Sequence, residues 1–325
     1  MPTFGYALSS EEHAPRDLVR NAGLAEEAGF EFLSISDHYH PWIDRQGHSP
    51  FVWAVIGGIA EATKRIRLGT GVTCPTMRIH PAVIAHAAAT AGALMPGRFF
   101  FGIGTGENLN EHVVGARWPE WEVRASMLEE AVAVIRQLWK GGVQSHHGQH
   151  YTVENARVYD LPDPLPEIVV AAGGPKATDL AARIGDGLWT TSPERELVQR
   201  FNRKAGKGKP KYGQVTVSWG RDEKKARKTA HEWWPTSAIE GEATQELPSP
   251  QHFEQLAEMV TEDKVAEAIP CGPDPAPILD RARKFVDAGY DHVYFHQVGP
   301  DQKGFIDFAS RELLPKLGRA SRSAA

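Results

Sequence analysis

The 325-residue chain predicts an α/β fold, a (β/α)8 TIM barrel, and three observations carry that expectation. Short β-rich runs alternate with longer helical stretches along the whole chain. Eight strands separated by helices of this length require a parallel sheet with right-handed crossovers. The phosphate fingerprint of a doubly wound open sheet, G-x-G-x-x-G after the first strand, is missing, and Gly102, Gly104 and Gly106 follow the fourth strand with the wrong spacing.

The elements follow in order. Residues Thr3–Ala7 read as the first strand, followed by a helix over Pro15–Ala28 with apolar positions at Leu18, Ala22, Leu24 and Ala25. Phe30–Ser36 is the second strand, and Val52–Thr63 a helix beyond a loop rich in His, Trp and Gly. Ile66–Thr73 is the third strand, followed by an alanine-rich helix, Pro81–Leu94, that a proline opens. Phe99–Gly104 is the fourth, and the long helix Pro119–Lys140 follows it. Ile168–Ala172, Gly187–Thr191, Val215–Trp219 and His292–His296 complete the eight, followed by helices at Lys176–Ile184, Glu194–Ala205, Asp222–Trp233 and Asp301–Leu317.

A barrel of this type takes about 250 residues. The surplus is assigned to insertions in one domain spanning residues 1–325, because no linker-like stretch divides the chain. One insertion is expected near 143–166 and another, polar and proline-rich, near 235–274. A net charge of −5 with no basic block argues against nucleic-acid and anionic-membrane partners. Cys74 and Cys271 are too few for a disulfide framework and fit a reducing, cytoplasmic setting. The N-terminus lacks the basic and apolar regions of a signal peptide, and no apolar run is long enough to span a membrane.

In a barrel the residues just beyond each strand form the active site. Here they are polar. Asp37 and His38 close the second strand, and a carboxylate beside an imidazole can fix its tautomer and raise its basicity, which suits a general base. The plainer alternative is a polar strand end bonding its own loop. His38, His40 and His48 lack the further ligands of a metal site, so no metal is expected. Glu107 follows Gly104-Thr105-Gly106, and it reads either as a proton donor opposite His38 or as a helix-start charge. Gly173-Gly174-Pro175 opens a helix and offers either an anion site or a plain turn. His146, His147 and His150 are expected on the surface of a hairpin, and at least one of Trp233 and Trp234 in the core.

Taken in order, these residues resemble one family. The carriers are Glu11 with Ala14-Pro15-Arg16, Ser36-Asp37-His38 with Pro41-Trp42, and Gly47-His48-Ser49-Pro50-Phe51. They continue through Gly69-Thr70-Gly71-Val72, Pro81-Ala82-Val83-Ile84-Ala85, Gly104-Thr105-Gly106-Glu107 with Leu109-Asn110-Glu111, Ala171-Ala172-Gly173-Gly174-Pro175 and Gly185-Asp186-Gly187. The chain resembles the luciferase-like barrel superfamily, and within it the glucose-6-phosphate dehydrogenase group that depends on coenzyme F420, a deazaflavin. The resemblance implies a homodimeric dehydrogenase that moves a hydride from a hydroxyl-bearing carbon of an alcohol or sugar to the deazaflavin. It implies His38 as base, Glu107 as acid at the cofactor ring, and Trp42 packed near the reacting centre. It places Asp37, Glu107 and Asn110 against the cofactor, a cis peptide at Gly71-Val72 behind its ring, and Gly173 and Gly174 at its phosphate. Glu11 would line the substrate pocket.

The chain departs from that group at one place. Where the sugar-phosphate enzymes carry two lysines and an arginine for the substrate phosphate, alignment brings Glu194, Thr244 and Ala268. A carboxylate facing a phosphate repels it. The expectation is therefore an F420-dependent dehydrogenase of an unphosphorylated alcohol or sugar, with Glu194 at the substrate site. The alternatives are a sugar-phosphate dehydrogenase, an FMN-dependent monooxygenase on the same barrel, and a non-catalytic barrel that holds the cofactor.

Overall fold

The computed structural model describes residues 1–239, 241 and 243–323. Its strands are β1 (Thr3–Leu8), β2 (Phe32–Ile35), β3 (Arg67–Thr70), β4 (Phe99–Ile103), β5 (Gln144–His147), β6 (Thr152–Ala156), β7 (Ile168–Ala171), β8 (Gly187–Thr190), β9 (Lys211–Val217) and β10 (His292–Gln297). Eight of them close in the order β1-β10-β9-β8-β7-β4-β3-β2, all parallel, while β5 and β6 form a separate antiparallel pair. The expected barrel is the fold. The strand expected at Val215–Trp219 begins earlier, at Lys211, because it pairs with β10 from Tyr212 onward.

The helices are α1 (Pro15–Ala28), α2 (Val52–Ala62), α3 (Pro81–Leu94), α4 (Asn108–Glu111), α5 (Trp121–Leu138), α6 (Pro175–Ile184) and α7 (Arg195–Ala205). Beyond β9 come α8 (Glu223–Trp233), α9 (Ala243–Glu246), α10 (Pro250–Ala257), α11 (Glu262–Ala268) and α12 (Pro275–Ala288). Helices α13 (Gln302–Phe308) and α14 (Leu314–Ser323) follow β10. The helix expected after the seventh barrel strand forms as α8, but it packs chiefly on α11 and not as the wall helix. That place is taken by α12, which rests on β9 and β10. Its periodic face of Ile278, Leu279, Ala282 and Phe285 is buried, and proline at its start with Gly289 in the left-handed region at its end sets its limits. The reading from sequence assigned no helix there.

Inside the barrel Phe32, Phe100, Val169, Trp189, Tyr212 and Tyr294 fill the lower half. A Cβ on Gly69 would lie 2.2 Å from the Phe100 ring, so glycine at this inward position lets the phenyl group cross the barrel axis. Burying each such ring contributes about 2–3 kcal/mol. These rings form a solid base, and open space begins only at the strand ends. Helices α8 to α11 cover part of that opening. Phe253 of α10 is fully buried against Trp42, Ile43 and Leu109 and pins this cap to the barrel loops.

Candidate active site

The strand ends and the cap enclose a cleft of about 590 Å³. Its floor is the Trp189 ring, stacked on Tyr212 with centroids 5.0 Å apart. Trp189 Nε1 donates to the Tyr294 hydroxyl at 2.8 Å, which donates to Gln214 Oε1 at 2.8 Å. The peptide between Gly71 and Val72 is cis and lines the same cleft. A Cβ on Gly71 would lie 2.1 Å from Ser34 Oγ and 2.9 Å from the Trp189 ring, so any other residue there would force both side chains to move.

His38 stands between two carboxylates. Glu11 Oε1 lies 3.3 Å from its Nδ1 and Glu107 Oε2 lies 3.5 Å from its Nε2. Because β1 and β2 are neighbours, the loop after β1 can deliver Glu11 to the residue just beyond β2. The Ser36 and Ser9 hydroxyls donate to Glu11 Oε2 at 2.5 and 3.0 Å. Burial pushes the Glu11 carboxyl up, but His38 and the Ser36 hydroxyl outweigh it and hold the group below its ordinary range. The Trp42 indole meets the imidazole edge-on with centroids 5.1 Å apart.

Asp37 does not partner His38. Its Oδ1 accepts from Arg78 Nη2 at 2.9 Å and its Oδ2 from Thr73 Oγ1 at 2.7 Å, both buried contacts on the other side of the strand end. Successive side chains of an extended segment point in opposite directions, so neighbours in sequence are separated here. The carboxylate beside His38 Nδ1 is Glu11, which faces it as a charge without forming a hydrogen bond. Arg78 also reaches Glu111, with Nε 3.6 Å from Oε1 and its backbone N–H donating to Oε2 at 2.9 Å. Burial, aided by Asp37 and Glu107 and opposed by Arg78, raises the Glu111 carboxyl to about 7.

Glu107 keeps part of its side chain open to the cleft, with 31% exposure. The cleft walls desolvate it and Glu11 repels its charge, which together raise its carboxyl against the pull of His38 and Asn110. Asn110 donates from Nδ2 to Glu107 Oε2 at 3.1 Å, while its Oδ1 accepts from the backbone of Tyr39 at 2.8 Å and of His40 at 3.1 Å. Asn110 is buried, lines the cleft and has both ends of its amide engaged by protein, so it braces Glu107.

Gly173 lines the cleft, and Gly174 is the residue before α6. A Cβ at either would meet nothing within 4 Å, so the backbone there is open to a ligand. Glu194 is exposed at the start of α7 and is not among the residues lining the cleft. The neighbouring residues Thr191, Ser192 and Pro193 line the wall. Thr244 and Ala268 do line the cleft. Arg281 of α12 is the one lysine or arginine among the described residues of the lining, and its Nη2 donates to the Ala268 carbonyl at 2.7 Å.

The remaining expectations resolve locally. His147 is exposed on the hairpin and His146 pairs with Glu130 at 3.0 Å. Trp233 is half-buried beneath Arg45, and Trp234 packs edge-on to His296 at 4.5 Å. Among the described residues no helix is long and apolar enough to cross a membrane. Three features had no signal in sequence. They are the Arg78–Glu111 contact, the cleft face of α12 and a buried pair between Glu12 and His296. Each depends on segments distant along the chain being brought together by the barrel.

Comparison with known proteins adds to this geometry. A family model described as luciferase-like monooxygenase matches residues 1–292. The F420-dependent glucose-6-phosphate dehydrogenase of Nocardia farcinica is 37% identical over 327 residues, covering 96% of this chain and 97% of the relative. The enzyme of that name from Microbacterium testaceum is 36% identical over 326 residues, covering 97% of each chain. Among solved structures, an F420-dependent secondary alcohol dehydrogenase in complex with an F420-acetone adduct superposes with a TM-score of 0.89 and 29% identity, covering 96% of this chain and 98% of that one. The F420-dependent tetrahydromethanopterin reductase of Methanopyrus kandleri shares the fold at a TM-score of 0.76 and 23% identity, covering 97% of this chain and 99% of that one. The chain therefore belongs to the luciferase-like monooxygenase family.

Proposed function

We propose that the protein is a coenzyme F420-dependent dehydrogenase that oxidises a hydroxyl-bearing carbon of an alcohol or sugar, with His38 as the base and Glu107 as the acid. The observation that carries the reading is the pair of contacts about His38, Glu11 at Nδ1 and Glu107 at Nε2. The dehydrogenase relatives and the secondary alcohol dehydrogenase support it across nearly the whole chain. The monooxygenase structures, at 15–19% identity, share only the fold.

The cleft suits a planar deazaflavin. Val72, Gly104 and Ala171 leave a low wall above Trp189, and the open backbone at Gly173 and Gly174 suits its phosphate. When bound, the deazaflavin accepts a hydride at C5. Asp37, buried in its ion pair with Arg78, shapes the adjoining wall. The Glu11 charge beside Nδ1 favours the Nδ1–H form of His38, leaving Nε2 as the acceptor for the carbinol proton. As the imidazole becomes charged, Glu11 stabilises it from behind. Burial and the Glu11 charge raise the Glu107 carboxyl, which favours its role as the group that supplies a proton as negative charge develops on the cofactor side. The Trp42 edge limits water at the imidazole.

The lining also bears on the substrate. Glu11 and Glu107 face the cleft against the guanidinium of Arg281, while Asp37 and Glu111 in the wall are paired with buried Arg78. That balance favours a neutral hydroxylated substrate over a phosphorylated one. The names of the relatives favour a second reading, glucose 6-phosphate, and Arg281 is the residue it would need. The test is anaerobic titration of the protein with oxidised F420, followed by its reduction with alcohols and with free and phosphorylated sugars at the visible band. His38→Ala should retain binding and lose turnover. Failure to bind F420, or failure of every substrate to reduce it, would overturn the proposal. A homodimer and a cytoplasmic setting complete the reading.

A further inference from the structure

Glu11 and Glu12 are adjacent in sequence, and each serves a different histidine. Strand β1 lies between β2 and β10 in the barrel, so the loop that leaves it can address both neighbours. Glu11 faces His38 beyond β2. Glu12 turns the other way, and its Oε2 lies 2.9 Å from Nε2 of His296, the inward-facing residue near the end of β10. Its second oxygen, Oε1, accepts the backbone N–H of Gly299 at 2.8 Å. That turn is fixed again from the far side, where Gln302 Nε2 donates to the Gly299 carbonyl at 2.6 Å. The Tyr6 hydroxyl, from β1 itself, donates to Gln302 Oε1.

Glu12 is sealed from solvent, and His296 is almost as deeply buried beneath the edge of Trp234. A buried carboxylate–imidazole pair pays heavy desolvation and is a poor way to gain stability, which argues that the pair specifies geometry. The His296 Nδ1 has no protein partner, so the ring is held through the Glu12 contact alone among hydrogen bonds. On the opposite side the same loop is tied to β2, with Ser10 Oγ donating to the Ser36 carbonyl at 2.7 Å. Glu11 sits between these two anchors. Glu11 Oε1 lies 3.3 Å from His38 Nδ1 as a charge contact and not a hydrogen bond, so its hold on the ring depends on where the loop carries the carboxylate.

We infer that Glu12 and His296 are positioning residues for the reaction: their buried pair clamps the β1 loop so that Glu11 keeps the His38 proton on Nδ1. The inference rests on the reading of His38 as the base. Glu12 lies outside the cleft lining, while His296 forms part of the cleft wall. Loss of the clamp lets Glu11 drift, and His38 then populates both neutral tautomers, one of which cannot accept the carbinol proton at Nε2.

The experiment compares wild type with Glu12→Ala and Glu12→Gln in the full-length protein. Nitrogen-15 NMR of labelled histidine reports the His38 tautomer directly, without turnover, and His38→Ala assigns its signals. Wild type is expected to show the Nδ1–H form, and Glu12→Ala a mixture of the two. With F420 and an oxidisable alcohol, Glu12→Ala should lower kcat about 10-fold and leave KM within about 2-fold. Glu12→Gln removes the charge but can still accept from Gly299, so it should restore most of the rate and of the tautomer preference. If Glu12→Gln behaved as Glu12→Ala does, the effect would be one of charge and the positioning role would fall. An unchanged tautomer in Glu12→Ala would also overturn the inference. If Glu12→Ala does not fold, the Gln variant with His296→Phe serves in its place, and a wild-type tautomer in His296→Phe would sink the idea. Loss of the tautomer preference in a protein that reduces no F420 would instead condemn the proposed activity and leave the clamp standing.

Discussion

Asn110 Nδ2 donates to Glu107 Oε2 at 3.1 Å and so ties the proposed acid to a buried amide. The same amide holds the loop after His38 through the backbone N–H groups of Tyr39 and His40. The acid and the base therefore share one brace. Asn110→Ala should release both, and a displacement of about 1 Å at a reacting group costs about 100-fold in rate. The hydrogen bond from Asn110 also lowers the Glu107 carboxyl, so its loss should raise that group further. An acid works while protonated, and the alkaline limb of the rate profile should move to higher pH in the variant. Steady-state kinetics across pH checks both effects, and an unmoved limb would count against Glu107 as the acid.

Glu11→Gln keeps the size of the side chain and removes the charge behind His38 Nδ1. The expected loss in kcat is about 100- to 10,000-fold, with F420 affinity unchanged. Binding by fluorescence quenching and turnover by absorbance separate the two quantities. A variant with full activity would show that the Glu11 contact is incidental.

Arg78 is buried between Asp37 and Glu111, with both partners nearly sealed from solvent. Arg78→Met leaves two carboxylates in a low-dielectric site without a cation. The expected loss of folding stability is about 3–5 kcal/mol, measured by urea denaturation at neutral pH. Lowering the pH should recover part of it by protonating the stranded acids.

Glu111 contributes a pH dependence of its own. Its carboxyl is raised from an ordinary value of 4.5 to about 7, so between those limits the folded protein binds more protons than the unfolded chain. Stability from this group is fully present below about pH 4.5 and falls as pH rises toward 7. Glu111→Gln should remove that slope, a difference on the order of 3 kcal/mol across the window. Denaturation at pH 5 and pH 8 for both proteins gives the comparison, and equal slopes would refute the assignment.

The barrel was legible in sequence because β-rich runs and helical stretches alternate with little ambiguity, and the strand ends follow from that order. Ser36-Asp37-His38 and Gly106-Glu107 were therefore found where the chemistry is proposed. Pairing was not legible. Asp37 adjoins His38 in the chain but faces Arg78, since an extended backbone sends neighbours to opposite sides. Glu11, distant in sequence, reaches His38 because β1 and β2 are adjacent in the barrel. Glu194 illustrates the other limit. Alignment gave it a position at the substrate, and in the fold it is exposed before α7 and absent from the cleft lining, while Arg281 lines the cleft from α12.

The short turn carrying Trp42 is also the seam between cap and barrel. Gln46 Oε1 accepts the Trp42 backbone N–H at 2.8 Å, and its Nε2 donates to the Trp233 carbonyl at 2.9 Å. Arg45 meets Glu232 at 2.9 Å, and the Asp44 N–H meets Glu254 Oε1 at 3.1 Å. A chimera that borrowed α8 to α11 from a relative to alter its choice of substrate would have to take residues 42–46 along as well. Otherwise the graft would arrive with its seam mismatched, and the first casualty would be the indole beside His38.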